Sequence, residues 1–186
     1  TYSNGKLNGP WTSWYSGGIV KEKTGFYLNN QLDKKWTHWS ENGQKTKVVT
    51  YSNGLKNGSY MVWNNDNFKT IDGQYTENHK DKLWTLRYND GNLKAKEAYS
   101  KGEKDGKWIW YNPNGILEKE GDYKNSVKHG LWISWADLDK KKSEETYVNG
   151  VLDGEIIIWH DNGKKDREGI VRGNQKDCLL YTSPSP

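Results

Sequence analysis

Four histidines, His38, His79, His129 and His160, are the first residues to test for acid–base or metal chemistry. Either role needs several such groups converging on one point. Counted from the nearest preceding tyrosine, they stand at +11, +4, +6 and +13, so nothing in the sequence pairs them. Asp33, Asp81, Asp105 and Asp153 share position +6, and a ladder of carboxylates could hold cations. Asn8 and Asn57 occupy the same position, however. Asn and Asp both close turns through their own backbone, so turn chemistry accounts for the column better. Serine and threonine have no base nearby in sequence, and no glycine-rich phosphate loop leads into a helix. The expectation is a chain that is not an enzyme and carries no metal and no cofactor.

The aromatic residues remain. There are 11 Trp and 12 Tyr among 186 residues. Tyr2, Tyr27, Tyr51, Tyr75, Tyr99, Tyr123 and Tyr147 are spaced by 25 and then by 24 residues throughout, and Val171 stands where an eighth would fall. Position +9 after each Tyr reads Trp11, Trp36, Tyr60, Trp84, Trp108, Trp132, Ile156. Position +12 reads Trp14, Trp39, Trp63, Arg87, Tyr111, Trp135, Trp159. Such columns could stack on sugars, cations or peptide. They could equally be the core, because Leu, Ile, Val and Phe together supply only 32 residues to bury. The core reading is the plainer one for the ten tryptophans in these columns. Residues that break the pattern are better candidates for contact with a partner: Trp110, Arg87, Tyr15 and Tyr88.

The elements that position these residues follow from the turns. Asn-Gly or a relative stands at +2/+3, as in Asn53-Gly54, and again at +15/+16, as in Asn114-Gly115. Asn-Gly is a strong hairpin signal, since a type I′ turn needs positive φ at both central residues. Two turns per repeat make two strands, from +4 to +14 and from +17 to +25. The first strand has two residues too many. The pair at +6/+7, for example Asp105-Gly106, is the expected site of a bulge that absorbs them. The fold class is therefore all-β: an elongated, twisted antiparallel meander of about 14 strands. Pairing across the +15/+16 turn sets the +7 glycine opposite the next Tyr, whose ring would cover it. Positions +9 and +12 face opposite sides of a regular strand. Either the sheet curls over one ladder, or a second bulge brings both ladders to one side.

Seven repeats of about 24 residues and the start of an eighth fill 1–177. The pattern stops at Cys178, and 178–186 resemble a sequencing adapter translated in one frame. The chain thus reads as a fragment, cut at both ends, and its only cysteine carries no argument. The net charge of +4 is spread evenly, with no basic block for nucleic acid. A mean hydropathy of −1.11 leaves no long apolar run for a membrane span.

The pattern Y-x-N-G-x-x-[ND]-G-x-W-x-x-[WY]-x-x-N-G resembles the MORN-repeat variant of bacterial YwqK-family antitoxin-like proteins. Tyr99 to Trp108 and Tyr147 to Gly154 carry it most plainly. The resemblance implies a non-catalytic β-hairpin scaffold for protein–protein interaction, antitoxin-like in function. Arg87, Ile156, Lys34 and Lys82 depart from the pattern, and their repeats are expected to bend differently. The competing readings are a glycan or choline-type cell-wall binder and a binder of lipid headgroups at the cell envelope. Against the choline type stands the missing Trp-Tyr-Tyr strand, approached only by Trp14-Tyr15 and Trp110-Tyr111.

Overall fold

The computed structural model describes residues 1–173 and the backbone of 175–182. Residue 174, residues 183–186 and all side chains from 174 onward lie outside the described part. The adapter-like reading of 178–186, with Cys178, falls there. Among the described residues there is no helix.

The chain divides into two compact units, Thr1–Asn92 and Leu93–Pro186. The first holds Tyr2–Ser3 (β1), Lys6–Leu7 (β2), Gly9–Trp14 (β3), Lys21–Leu28 (β4), Gln31–Trp39 (β5), Lys45–Ser52 (β6), Leu55–Trp63 (β7), Lys69–Thr76 (β8) and His79–Arg87 (β9). The second holds Leu93–Ser100 (β10), Glu103–Tyr111 (β11), Leu117–Lys124 (β12), Val127–Asp137 (β13), Lys140–Val148 (β14), Val151–Trp159 (β15), Lys165–Arg172 (β16) and Gln175–Thr182 (β17). β1 and β2 pair only with each other, and from β3 onward strand order is chain order within each unit, each strand antiparallel to the next. No pairing among the described residues joins the first strand of a unit to its last, so neither unit closes into a barrel. The expected all-β antiparallel meander of about 14 strands is what β3 to β16 form.

The two turns of each repeat differ. At +2/+3 both residues have positive φ, as in Asn53 (49°) with Gly54 (81°) and Asn149 (50°) with Gly150 (84°). These are the expected type I′ turns, and even Glu77-Asn78 adopts the conformation. At +15/+16 the expectation of a second I′ turn is corrected in most repeats, although Gly17 and Gly18 of the first both have positive φ (100° and 69°). In Ser40–Gln44 only Gly43 has positive φ (81°), its N–H donating to the Ser40 carbonyl at 2.9 Å. The loop has three residues, a tight turn followed by one left-handed glycine, and the Asn42 side chain accepts from the Gln44 N–H at 3.1 Å.

The bulge is where the pattern placed it. On β5, Lys34, Lys35 and Trp36 oppose the single residue Gly25 of β4, between the pairs Thr24↔Thr37 and Phe26↔Asp33. Position +7 has positive φ in every repeat, from Gly9 (101°) to Gly154 (129°). Lys34 (59°) and Lys82 (61°) adopt it too, so the two lysine substitutions preserve the bulge instead of bending their repeats differently. The +7 residue does pair with the next repeat's Tyr, as in Gly58↔Tyr75 and Gly106↔Tyr123. The ring does not cover that glycine, however. A Cβ added at Gly58 would meet Thr50, and one at Gly106 would meet Ala98. The covered glycines are others: a Cβ on Gly25, Gly73 or Gly121 would lie 2.1–2.3 Å from the ring of Trp36, Trp84 or Trp132.

Candidate functional site

The +9 rings and the tyrosines stack on one another, as two clusters in the first unit (Trp11, Tyr27 and Trp36; Tyr60, Tyr75 and Trp84) and as a run from Tyr99 to Tyr147 in the second. Trp36 stands 5.0 Å from Tyr27 and 5.5 Å from Trp11, centroid to centroid. Trp132 stands 5.0 Å from Tyr123 and 6.4 Å from Tyr147. Tyr and Trp meet edge to face, the arrangement that the ring quadrupole favours. The bulge leaves a carbonyl on the preceding strand for each indole. Trp36 donates to Phe26, Trp84 to Gln74, Trp108 to Ala98 and Trp132 to Asp122, at 2.9–3.2 Å. Position +5 closes the ladder from above. Lys104 lies 4.6 Å from Trp108 and 4.7 Å from Tyr123, and Lys128 lies 4.7 Å from Trp132 and 4.2 Å from Tyr147. Burial among the rings holds the Lys128 ammonium below its ordinary pKa. Burial, with the bonded Glu145 carboxylate second, pushes the Tyr147 hydroxyl up to about 12. Trp36, Trp84, Trp108 and Trp132 are buried although no second layer covers them. These four buried rings are core, and they themselves offer no ligand a surface.

The +12 column behaves otherwise. In the first unit Trp63 lines a groove with Met61 and Ser59, at +10 and +8, while its neighbour Tyr60 packs on Tyr75 and Trp84. The two ladders there face opposite sides. Each +12 Trp pairs with a lysine across the hairpin: Trp14↔Lys21, Trp39↔Lys45, Trp63↔Lys69. Lys21 lies 5.7 Å from the Trp14 ring and Lys45 5.5 Å from that of Trp63. Arg87 extends this alternation of rings and cations to β9. Trp14 is 47% exposed and Ile19 is 86% exposed, and both line a shallow groove with Val20 and Trp39.

Three of the four pattern-breaking candidates lie at +12 or +13 in the first unit, Tyr15 after β3 and Arg87 and Tyr88 at the end of β9, and the structure does not bring Tyr15 to the other two. The Tyr15 hydroxyl donates to the Trp39 carbonyl at 2.6 Å, tying the first hairpin to β5. Arg87 is exposed and donates to the Gly91 carbonyl at 3.2 Å. Tyr88 begins the following turn, its N–H bonded to the Asn92 carbonyl. Trp110 lies in the second unit, on the ladder face, 5.4 Å from Trp108 and 5.9 Å from Trp132. There it lines a groove with Ser134, Ser143 and Trp135. Trp135 sits between two register shifts. In the first unit, where the two columns face opposite sides, the arrangement is the one with a single buried ladder.

The histidines stay apart. His38 pairs with Lys23 on one side and Lys47 on the other, and burial first, then these cations, hold its pKa below the ordinary value. His160 Nε2 is 3.4 Å from Asp166. Among the described residues no three His, Cys, Asp or Glu side chains converge to hold a metal ion.

What repeats is therefore one hairpin-and-bulge unit with a tyrosine, a bulge-seated ring and a capping residue at +5. Residues 104–125 match the MORN repeat variant. The match takes in Trp108, Trp110 and Tyr123, and it supports reading the chain as a MORN-repeat protein. The MORN repeat is a non-enzymatic type, generally associated with binding to proteins or membranes. No curated protein matches the chain.

Two features escape the 24-residue reading. The glycine two residues before Tyr27, Tyr75 and Tyr123 recurs every 48 residues and marks the repeats whose Trp lies flat on the strand. The lysine run Lys56, Lys80, Lys104 and Lys128 at +5 was equally visible as spacing, but its purpose shows only once the rings are in place.

Proposed function

We propose that the chain is a non-catalytic scaffold that binds a partner protein through the +12 row of its first unit. The observation that carries this is the alternation of half-exposed rings and cations, Trp14, Lys21, Trp39, Lys45, Trp63, Lys69 and Arg87, on a sheet whose other face is sealed by its own ladder. An exposed apolar patch edged by charge is the usual form of a protein-docking surface, with aromatic residues and Arg as its anchors. Its positive charge selects a partner with acidic residues around an apolar contact. Tyr15 and Tyr88 flank the row and extend it. The finer reading is antitoxin-like: the partner is a toxin held inactive while its working surface is covered.

The test is a titration of the purified chain with the protein encoded beside its gene, followed by calorimetry. Trp39→Ala and Arg87→Glu should each weaken the complex at least tenfold, and added salt should weaken it further. Binding that ignores both substitutions and salt overturns the assignment of the row. An adjacent product that is inhibited in the complex supports the antitoxin reading, and one whose activity is unchanged rejects it.

A further inference from the structure

The second unit carries a groove that the repeat does not require. Trp110, Lys119, Ser134 and Ser143 pair in turn across β11, β12, β13 and β14, forming one cross-strand row on the ladder face. The same row of the first unit reads Ser13, Lys23, His38, Lys47, Val62 and Ile71, with a large side chain on every strand from β4 onward. Two adjacent serines beside an extra indole therefore leave a depression, with Trp110 as one wall and Trp135 at the rim. It is a shallow, open depression of about 560 Å³.

The groups facing it keep hydrogen-bonding capacity beyond the bonds they make. The buried ladder tryptophans donate their N–H to carbonyls, whereas the Trp110 indole N–H has no protein acceptor among the described residues. Ser134 and Ser143 share one hydrogen bond, Oγ to Oγ at 2.7 Å, which leaves the pair one hydroxyl proton to donate. Glu145 accepts from the Tyr147 hydroxyl through Oε2 at 2.8 Å, so its carboxylate is held in place and Oε1 is not used by that bond. Lys119 is held 5.3 Å from the Trp132 ring. The charges at the groove balance, Lys119 and Lys142 against Glu118 and Glu145. Two ammonium groups disfavour a cation such as choline, and two carboxylates disfavour an anion such as phosphate.

We infer that this groove binds a neutral glycan, with one pyranose ring stacked on Trp110. A sugar has an apolar face of C–H groups for the indole and a rim of hydroxyls that both donate and accept. Glu145 accepts from that rim, while Lys119, the serine pair and the Trp110 N–H donate to it. The site is independent of the +12 row of the first unit, so either assignment can fail alone.

The test is calorimetric titration of the whole chain with soluble neutral oligosaccharides of the cello-, chito- and malto- series, alongside choline, inorganic phosphate and an apolar peptide. Saturable binding of one oligosaccharide series is expected. Trp110→Ala should reduce it at least tenfold. Ser134→Leu, which fills the depression and leaves the indole in place, should do the same with the thermal transition of the chain retained. Trp14→Ala, an exposed tryptophan of the first unit, should leave it unchanged. Absence of binding by every oligosaccharide overturns the inference. So does binding that Trp14→Ala abolishes as well, or a groove that takes choline, phosphate or the peptide in preference to sugars.

Discussion

Gly121 and Trp132 share the space of a single ordinary residue: the ring-fusion bond of the indole lies where a β-carbon would stand. Gly121→Ala should therefore force the ring out of its seat and away from the Asp122 carbonyl, costing about 1–3 kcal/mol in urea unfolding. The glycine is not in the left-handed region, so the loss would come from the collision alone. His38 gives a second test at this scale. Its folded pKa is depressed below the ordinary 6.5 by burial and by Lys47 and Lys23. The unfolded chain thus takes up a proton that the folded chain refuses. Stability is full above about pH 6.5 and falls as pH drops from there through the folded pKa. His38→Gln should flatten the decline of the thermal midpoint over that interval. An unchanged slope would show that other groups cause it.

At the scale of the element, the unit is a hairpin whose first strand carries two surplus residues. The surplus is absorbed by one left-handed residue at +7, and glycine is the natural occupant. Lys34 and Lys82 pay a backbone penalty there that Gly9, Gly58 and Gly106 do not. Lys34→Gly and Lys82→Gly should each stabilise the chain by about 0.5–1 kcal/mol, the relief of the left-handed lysine less the added freedom of glycine when unfolded. Denaturant midpoints measure this, and a loss of stability in both variants would mean that the lysine stems contribute more than the strain removes. Neighbouring repeats are tied at the I′ turns as well. The Asn78 N–H donates to the Lys56 carbonyl at 2.9 Å, and its side-chain oxygen accepts from the Lys56 N–H at 2.8 Å.

For the whole molecule, stability is built from nearest-neighbour terms, since every ring of the ladder touches only its own repeat and the next. Trp132→Ala removes a side chain that is 2% exposed and should cost about 3–5 kcal/mol. Amide exchange should accelerate in β12, β13 and β14 and stay unchanged in β4 to β7. Uniform acceleration along the chain would show a single cooperative unit instead. A scaffold with local stability suits binding: the buried +9 rings support the sheet, and the +12 row and the Trp110 groove are left for partners.

Spacing alone determined the strands, the I′ turns, the bulge at +7 and the two aromatic columns, because each depends on residues close in sequence and on the conformations that Asn and Gly tolerate. The type of the +15/+16 turn was not legible, since the same Asn-Gly pair serves both a two-residue I′ turn and a three-residue loop. Nor was the choice between the columns. Only the tertiary structure decided that the +9 rings are sealed by tyrosine, glycine and lysine from adjacent strands, while the +12 rings stay half open. It likewise decided that Trp110, an irregularity in the sequence, lies in one cross-strand row with Lys119 and two serines from two further strands. Burial and concavity belong to side chains from several strands at once, and no count along one strand contains them.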